Sequence, residues 1–195
     1  MVWGCHLSGP FRFGPDIICD VPSSARVSAS VNVRGRGRLE IGAFAVIEEN
    51  VVIDLGGSGR ATVQLHSRSK LKNGVVLRCY NGIFALGHHS TLGDYCVVHA
   101  HGGVTIGDHV GVGPHSTIAA SAHIVASTEI PIRYQGETAI GITIEDDVWV
   151  GAGSRILDGT TIGRGGVIGA GSVVNRSTPP SFICAGVPCR PLRPR

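Results

Sequence analysis

Aromatic side chains are scarce in this sequence, at 5% of residues, although 43% of the chain is hydrophobic. A core so poor in rings has to be built from Val, Ile, Leu and Ala, which suits a thin prism and not a broad layered α/β enzyme. The six cysteines (Cys5, Cys19, Cys79, Cys96, Cys184, Cys189) contain no C-x-x-C pair and no zinc-ligand spacing. They read as free thiols, small buried hydrophobes in a reducing cytoplasm. No apolar run reaches the roughly 18 residues of a membrane span. The start, Met1-Val2-Trp3-Gly4-Cys5-His6, lacks a basic stretch followed by an apolar run, so no secretory signal is expected and the location expected is cytoplasmic. Charge is also thin, with a net +3. The arginines gather at Arg34-Arg36-Arg38 and Arg190-Arg193-Arg195 without interleaved aromatics. That pattern argues against nucleic acid and leaves a small anion such as phosphate for the second group.

What the chain does have is a pulse. From Ile144 an aliphatic residue returns at every sixth position: Ile144, Val150, Ile156, Ile162, Ile168, Val174. Shorter runs lie upstream: Ile41, Ile47, Ile53; Leu71, Leu77, Ile83; Leu86, Leu92, Val98; and Ile106, Val112, Ile118. A period of six fits neither an amphipathic helix nor a simple alternating strand. It predicts a hexapeptide β-helix, in which each hexad is one short strand and one turn and three hexads make a coil. The 29 glycines then belong at tight corners, where positive φ is cheap for glycine. The phased aliphatic ladder argues against a flexible glycine-rich chain.

The expected organisation follows the pulse. Residues 1–24, with Pro10, Pro15 and Pro22, are aperiodic and read as a lead-in or cap. Coils are expected over 25–118 and 144–176, an excursion over 119–143 that keeps no hexad phase, and a closing tail over 177–195. Any α-helix is expected only in that tail. A loop thrown out of a regular prism is where function is expected. Val98 to Ile106 is a smaller slip, eight residues instead of six, with Gly102-Gly103 inside it.

Three stretches carry a resemblance: Gly141-Ile-Thr-Ile-Glu-Asp-Asp-Val-Trp-Val-Gly-Ala152, Val167-Ile-Gly-Ala-Gly-Ser-Val173 and Ala185-Gly-Val-Pro-Cys-Arg190. Together with Ser121-Ala-His123, Pro131-Ile132 and Gln135-Gly136 in the loop, they resemble the hexapeptide-repeat acyltransferases, and more narrowly the galactoside, maltose and capsule-type O-acetyltransferases. The resemblance is dense from about Ile106 to Arg193. It implies a left-handed parallel β-helix of triangular section and a homotrimer with active sites at the subunit interfaces. It also implies acetyl-CoA as co-substrate, a small-molecule acceptor such as a sugar, and no metal. His123 falls at the family's general base, a role suited to a side chain that titrates near neutrality. The same resemblance puts the oxyanion donor at the Ala152 amide and the pantetheine arm along Ala152 and Ala170, with Trp149 walling the thioester. Coenzyme phosphates would meet Asn175, Arg176, Arg190 and Arg193. Arg176 stands where the family more often has lysine.

On the acceptor side the chain departs from the galactoside-type pattern. Histidines, His99 and His101, replace asparagine-like groups, and Glu129 is a further candidate. Other readings stay open. An N-acetyltransferase on an amino sugar or antibiotic would share the coenzyme half, although the antibiotic branch carries a longer excursion. A zinc hydratase of the γ-carbonic-anhydrase type needs a histidine spacing that His109, His115 and His123 do not keep. A non-catalytic β-helix scaffold has no use for His123 in its loop.

Overall fold

A computed structural model describes residues 16–195. The expectations for Cys5 and for most of the 1–24 lead-in lie outside the described residues. The chain winds as a parallel β-helix with three flat faces. The first face stacks Ile17–Asp20, Gly37–Ile41, Ala61–Leu65, Ile83–Leu86, Val104–Ile106, Ile142–Ile144 and Thr161–Ile162. The second runs from Arg26–Val27 through Trp149–Val150 and Val167–Ile168 to Phe182–Ala185, and the third from Asn32–Arg34 through Thr117–Ala119 and Arg155–Leu157 to Val173–Val174. Like residues meet like: Ile106, Ile144 and Ile162 are successive partners on the first face, Val112, Val150 and Ile168 on the second, and Ile118, Ile156 and Val174 on the third. Each such rung is buried, which contributes roughly 1.5–3 kcal/mol per side chain. Among the described residues Phe84 is the one fully buried aromatic. The hydroxyls that do enter the core are held: Ser90 donates to the Gly107 carbonyl at 2.7 Å, Ser154 to Gly151 at 2.7 Å and Ser172 to Gly169 at 2.6 Å.

The irregularities of the hexad share one corner. From first to second face (Leu86 to Leu92, Ile106 to Val112, Ile144 to Val150) and from second to third (Leu92 to Val98, Val112 to Ile118, Val150 to Ile156) the step is always six. From third back to first it is eight between Val98 and Ile106, nine between Leu77 and Leu86 and twelve between Ile53 and Leu65. It takes in the whole excursion between Ile118 and Ile144. The run Leu71, Leu77, Ile83 is therefore corrected at its last member. Ile83 faces outward, 54% exposed, and Leu86 takes the inward place, because the longer corner shifts the phase. The Gly102-Gly103 slip belongs to the same corner.

At the ends the strands reach further than the hexads suggest. Ile17–Asp20 already pairs with Gly37–Ile41. The tail holds no helix. Phe182–Ala185 adds to the second face, and Arg190–Pro194 folds back antiparallel along it. Two prolines and two arginines on that last strand protect an open edge. The one helical turn among the described residues is a 3-10 turn, Ile132–Tyr134, in the excursion. No helix among them is long and apolar enough to cross a membrane.

Glycine is needed less for positive φ than for close stacking. Among the described residues ten that are not glycine, including Asn50, Tyr95, His115, His89 and His109, hold φ near +57° at the corners. Left-handed backbone costs a side chain about 1–2 kcal/mol, and the stacked rings offset part of it. Tyr95 and His115 lie 5.3 Å apart and His89 and His109 5.2 Å apart, nearly parallel in both pairs. Gly151, by contrast, has no positive φ, yet an added Cβ would stand 2.4 Å from the Ala170 nitrogen in the next coil. Gly151→Ala is expected to destabilise by about 1–3 kcal/mol through overpacking. Gly153→Asn, at φ +68° with open space around it and in the corner column that Asn50 begins, should cost under about 1 kcal/mol. Urea unfolding midpoints of the two variants check this ordering.

Candidate functional site

The excursion is a built hairpin. Ala122–His123 pairs antiparallel with Glu137–Thr138, so His123 sits opposite Glu137. The tip is braced by one side chain: Gln135 donates to the carbonyls of Ser127 (2.8 Å) and Ile130 (2.7 Å) and accepts from the Ser127 amide (2.9 Å). The return leg is tied down by Asp158, which accepts from the Thr138 hydroxyl (3.0 Å) and from the amides of Ile140 (3.0 Å) and Gly141 (2.9 Å). Burial pushes the Asp158 carboxyl up, but these donors and the Gly159 amide outweigh it, and its pKa is lowered.

At the open end of this hairpin one carboxylate serves two histidines. Glu137 Oε1 lies 3.6 Å from His123 Nδ1, and its Oε2 lies 3.3 Å from His101 Nδ1. The His101 ring in turn stacks under Tyr80 at 4.8 Å, and the Tyr80 hydroxyl is 3.4 Å from His99 Nδ1. Burial, then the charges of Arg78 and His101, lower the His99 pKa, so His99 stays neutral where a free histidine would begin to protonate. A carboxylate facing Nδ1 favours the proton on that nitrogen over Nε2. The two distances exceed a tight hydrogen bond.

His99, His101 and His123 thus come together, and Glu129 does not join them. Its carboxylate meets Thr128 and its amide the Ser127 hydroxyl, at the far tip of the hairpin. Glu137 was missed in the sequence. Its nearness to His123 depends on a strand pairing across the loop, and the signal available was its place directly after Gln135-Gly136. His109 and His115 lie at two other corners, stacked on His89 and Tyr95.

Of the coenzyme candidates, Trp149, Ala152 and Ala170 lie away from the hairpin corner, whereas Asn175 and Arg176 stand at that same third-to-first corner, in register with Leu157 and Asp158. Trp149 lies outside the prism, 55% exposed, its ring over Gly111, where a Cβ would come within 2.7 Å. Ala152 and Ala170 are exposed turn residues in successive coils at the corner between second and third faces, and among the described residues their amides donate no hydrogen bond. Asn175 and Arg176 follow the last third-face strand. Arg190 reaches Asn175 at 3.4 Å, while the Arg193 guanidinium donates to the Pro194 carbonyl. Between Ala152 and the hairpin corner at Asp158 lies one whole side of the prism, six residues or roughly 20 Å of extended chain. One chain does not bring His123 and Ala152 together. The described thiols play no part in either cluster: burial pushes Cys79 up to about 12 and Cys96 and Cys19 up to about 11, far from a reactive thiolate.

A three-sided coil of parallel strands that throws out one histidine-bearing hairpin defines a hexapeptide-repeat β-helix. A family model described as bacterial transferase hexapeptide (six repeats) matches residues 141–176. The galactoside O-acetyltransferase of Escherichia coli is 44% identical over 91 residues, 46% of this chain and 43% of its own. An Escherichia coli protein named as a colanic acid biosynthesis acetyltransferase, WcaF, is 30% identical over 132 residues, covering 65% of this chain and 70% of its own. The crystal structure of a hexapeptide-repeat acetyltransferase from Vibrio cholerae superposes with a TM-score of 0.58 at 30% identity, over 65% of this chain and 70% of its own. The chain belongs to the hexapeptide-repeat acyltransferase family. The match to the galactoside enzyme spans less than half of that protein's length.

The Asp158 tether carries its own prediction. A carboxyl held below its ordinary value stabilises the folded return leg above that ordinary value, and the contribution is lost as pH falls through the lowered one. Asp158→Ala should raise amide exchange at Ile140 and Gly141 about tenfold at neutral pH, with the coil amides unchanged. Exchange mass spectrometry of the two regions reads it.

Proposed function

We propose that this protein transfers an acetyl group from acetyl-CoA to a hydroxyl of a sugar or a similar small acceptor, with His123 as general base. The observation that carries the reading is the His123–Glu137 contact at the mouth of the hairpin, in a chain of this family. Acetyl-CoA supplies an activated acyl thioester. The residues fit such a donor in one respect that is physical and local: Ala152 and Ala170 present unpaired amides behind side chains too small to block an extended pantetheine arm.

In this reading His123 Nε2 takes the acceptor proton as the oxygen attacks the thioester carbon, and Glu137 steadies the charge the ring acquires. The Ala152 amide, held rigid by the coil beneath it, donates to the carbonyl oxygen as it becomes negative. The C–S bond breaks and the imidazolium returns the proton to the departing sulfur. Trp149 walls the thioester. Asn175, Arg176, Arg190 and Arg193 take the coenzyme's phosphates, for which a guanidinium fork is well matched.

The distance between the hairpin edge and the Ala152 edge supports a trimer with cyclic symmetry. Three prisms packed about one axis set the hairpin of one copy against the Ala152 edge of the next. The reading includes a cytoplasmic setting, consistent with five free cysteines among the described residues. Release of free thiol from acetyl-CoA over a panel of sugars, nucleotide sugars and amino sugars tests the activity and separates O- from N-transfer.

His123→Ala should lower turnover by about 10²–10⁴-fold with coenzyme affinity nearly intact; lost coenzyme binding at retained turnover would give His123 a different job. Arg176→Ala and Arg190→Ala should weaken coenzyme A roughly ten- to hundredfold and dephospho-coenzyme A far less, because a charge-assisted bond to the 3′-phosphate is worth about 1.5–3 kcal/mol. Competition binding with the two coenzymes decides it, and equal weakening of both would move the arginines off that phosphate.

A further inference from the structure

Beside the histidine cluster stands a guanidinium without an ion pair among the described residues. Arg78 is the next residue along the third-face edge below His99: Arg78, His99 and Ala119 are register partners on three consecutive strands. Most arginines near it are engaged. Arg34 holds Asp54 at 2.9 Å, Arg36 holds Asp16 at 3.1 Å and Arg38 lies 3.6 Å from Glu40. Asp54, the register partner of Arg78 in the coil below, has its Oδ2 taken by Arg34 and its Oδ1 by the Gly56 amide at 3.0 Å. Glu137 is shared by His101 and His123. Among the described residues Arg78 has neither an ion pair nor a side-chain hydrogen bond, and it is exposed.

Tyr80 stands two residues on, its backbone held at φ 54°. That conformation is the one other corner residues of the coil also hold, Tyr95 and His115 among them. The ring is 38% exposed, braced by the His101 stack on one side and the His99 contact by its hydroxyl. The edge therefore presents, in order, a free fork of cationic donors, a fixed aromatic face, a neutral imidazole and the carboxylate-backed base. Strands in a sheet stack about 4.8 Å apart, so the Arg78 backbone lies about 10 Å from Ala119, where the chain departs for His123.

We infer that Arg78 and Tyr80 form an acceptor subsite for the carboxylate of an acidic sugar, with Tyr80 against the C–H face of the ring and Arg78 as the bidentate partner of the acid group. This rests on the acetyl-transfer reading of the His123 site and names the acceptor that site takes. A planar carboxylate matches the guanidinium fork, and one positive charge left unpaired beside a neutral histidine selects acid over neutral sugar. Tyr80 and Arg78 act on recognition, and the proton transfer stays with His123.

The test compares methyl glycosides of glucuronic and galacturonic acid with those of glucose and galactose as acceptors for acetyl-CoA. The intact protein should favour at least one uronide by about tenfold or more in kcat/KM. Arg78→Ala should remove that preference by lowering uronide kcat/KM about ten- to hundredfold, with neutral sugars changed less than about threefold, and Arg78→Lys should keep part of it. Raising salt should raise the uronide KM alone. Equal use of acid and neutral sugars, or equal loss on both in Arg78→Ala, overturns the inference and leaves the transferase reading intact. If no acceptor in the set is acetylated, binding of the uronides is followed by the shift of the His99 imidazole resonance. Binding that is lost in Arg78→Ala sustains the subsite although the transferase reading fails, and no binding to the intact protein overturns it.

Discussion

Everything in this molecule depends on one rung meeting the rung beneath it. An aliphatic side chain enters the prism at every sixth residue across two corners, and its backbone bonds to the coils above and below. A single-residue change in those steps would turn a buried Val or Ile outward and a corner residue inward. Two corners are therefore fixed in length. Insertions survive only at the third, where they extend outward and the next coil resumes in phase. The place of the histidine hairpin is thus a consequence of packing: a prism of this kind has one edge on which a loop can grow.

Close stacking has a second effect, on the opposite edge. Gly113 and Gly151 let the Ala152 and Ala170 turns settle within 2.5 Å and 2.4 Å of where a Cβ would be. The turn amides there face outward in a rigid column. Rigid donors aimed at a fixed point need no reorganisation when charge develops before them. The histidine hairpin sits on the edge of variable length and the rigid amide column on an edge of fixed length. A second subunit is the simplest way to place one against the other.

The sequence disclosed the repeat because burial at a fixed period leaves a mark in composition: Ile144 to Val174 can be read by eye. It disclosed the excursion as the stretch where the mark stops. It misled at Ile83, since an aliphatic residue in phase with the previous coil is not in phase with the next once the corner lengthens. Thirteen of the described glycines hold the positive φ expected at tight corners, but His89, Tyr95 and Asn50 manage that conformation too, and the spacing between coils is a second demand that the sequence did not disclose. Glu129 was the acid named as an acceptor candidate, yet Glu137 is the one that meets His123, because an antiparallel pairing inside the excursion has no period to betray it. Arg78 and Tyr80 were invisible for a related reason. Residues from separate coils become neighbours only through a register that the corner lengths set.

The last strand has a consequence of another kind. A parallel stack has no intrinsic length: the upper edge of every coil is a template for one more. Arg190–Pro194 runs the other way along Phe182–Ala185 and carries proline opposite Cys184 and Phe182, so no further strand can copy it. Without that reversal the molecule would end in a bare, ordered ladder, the geometry from which filaments grow. The same five residues that bring Arg190 beside Asn175 also keep one molecule from becoming the seed of a fibre.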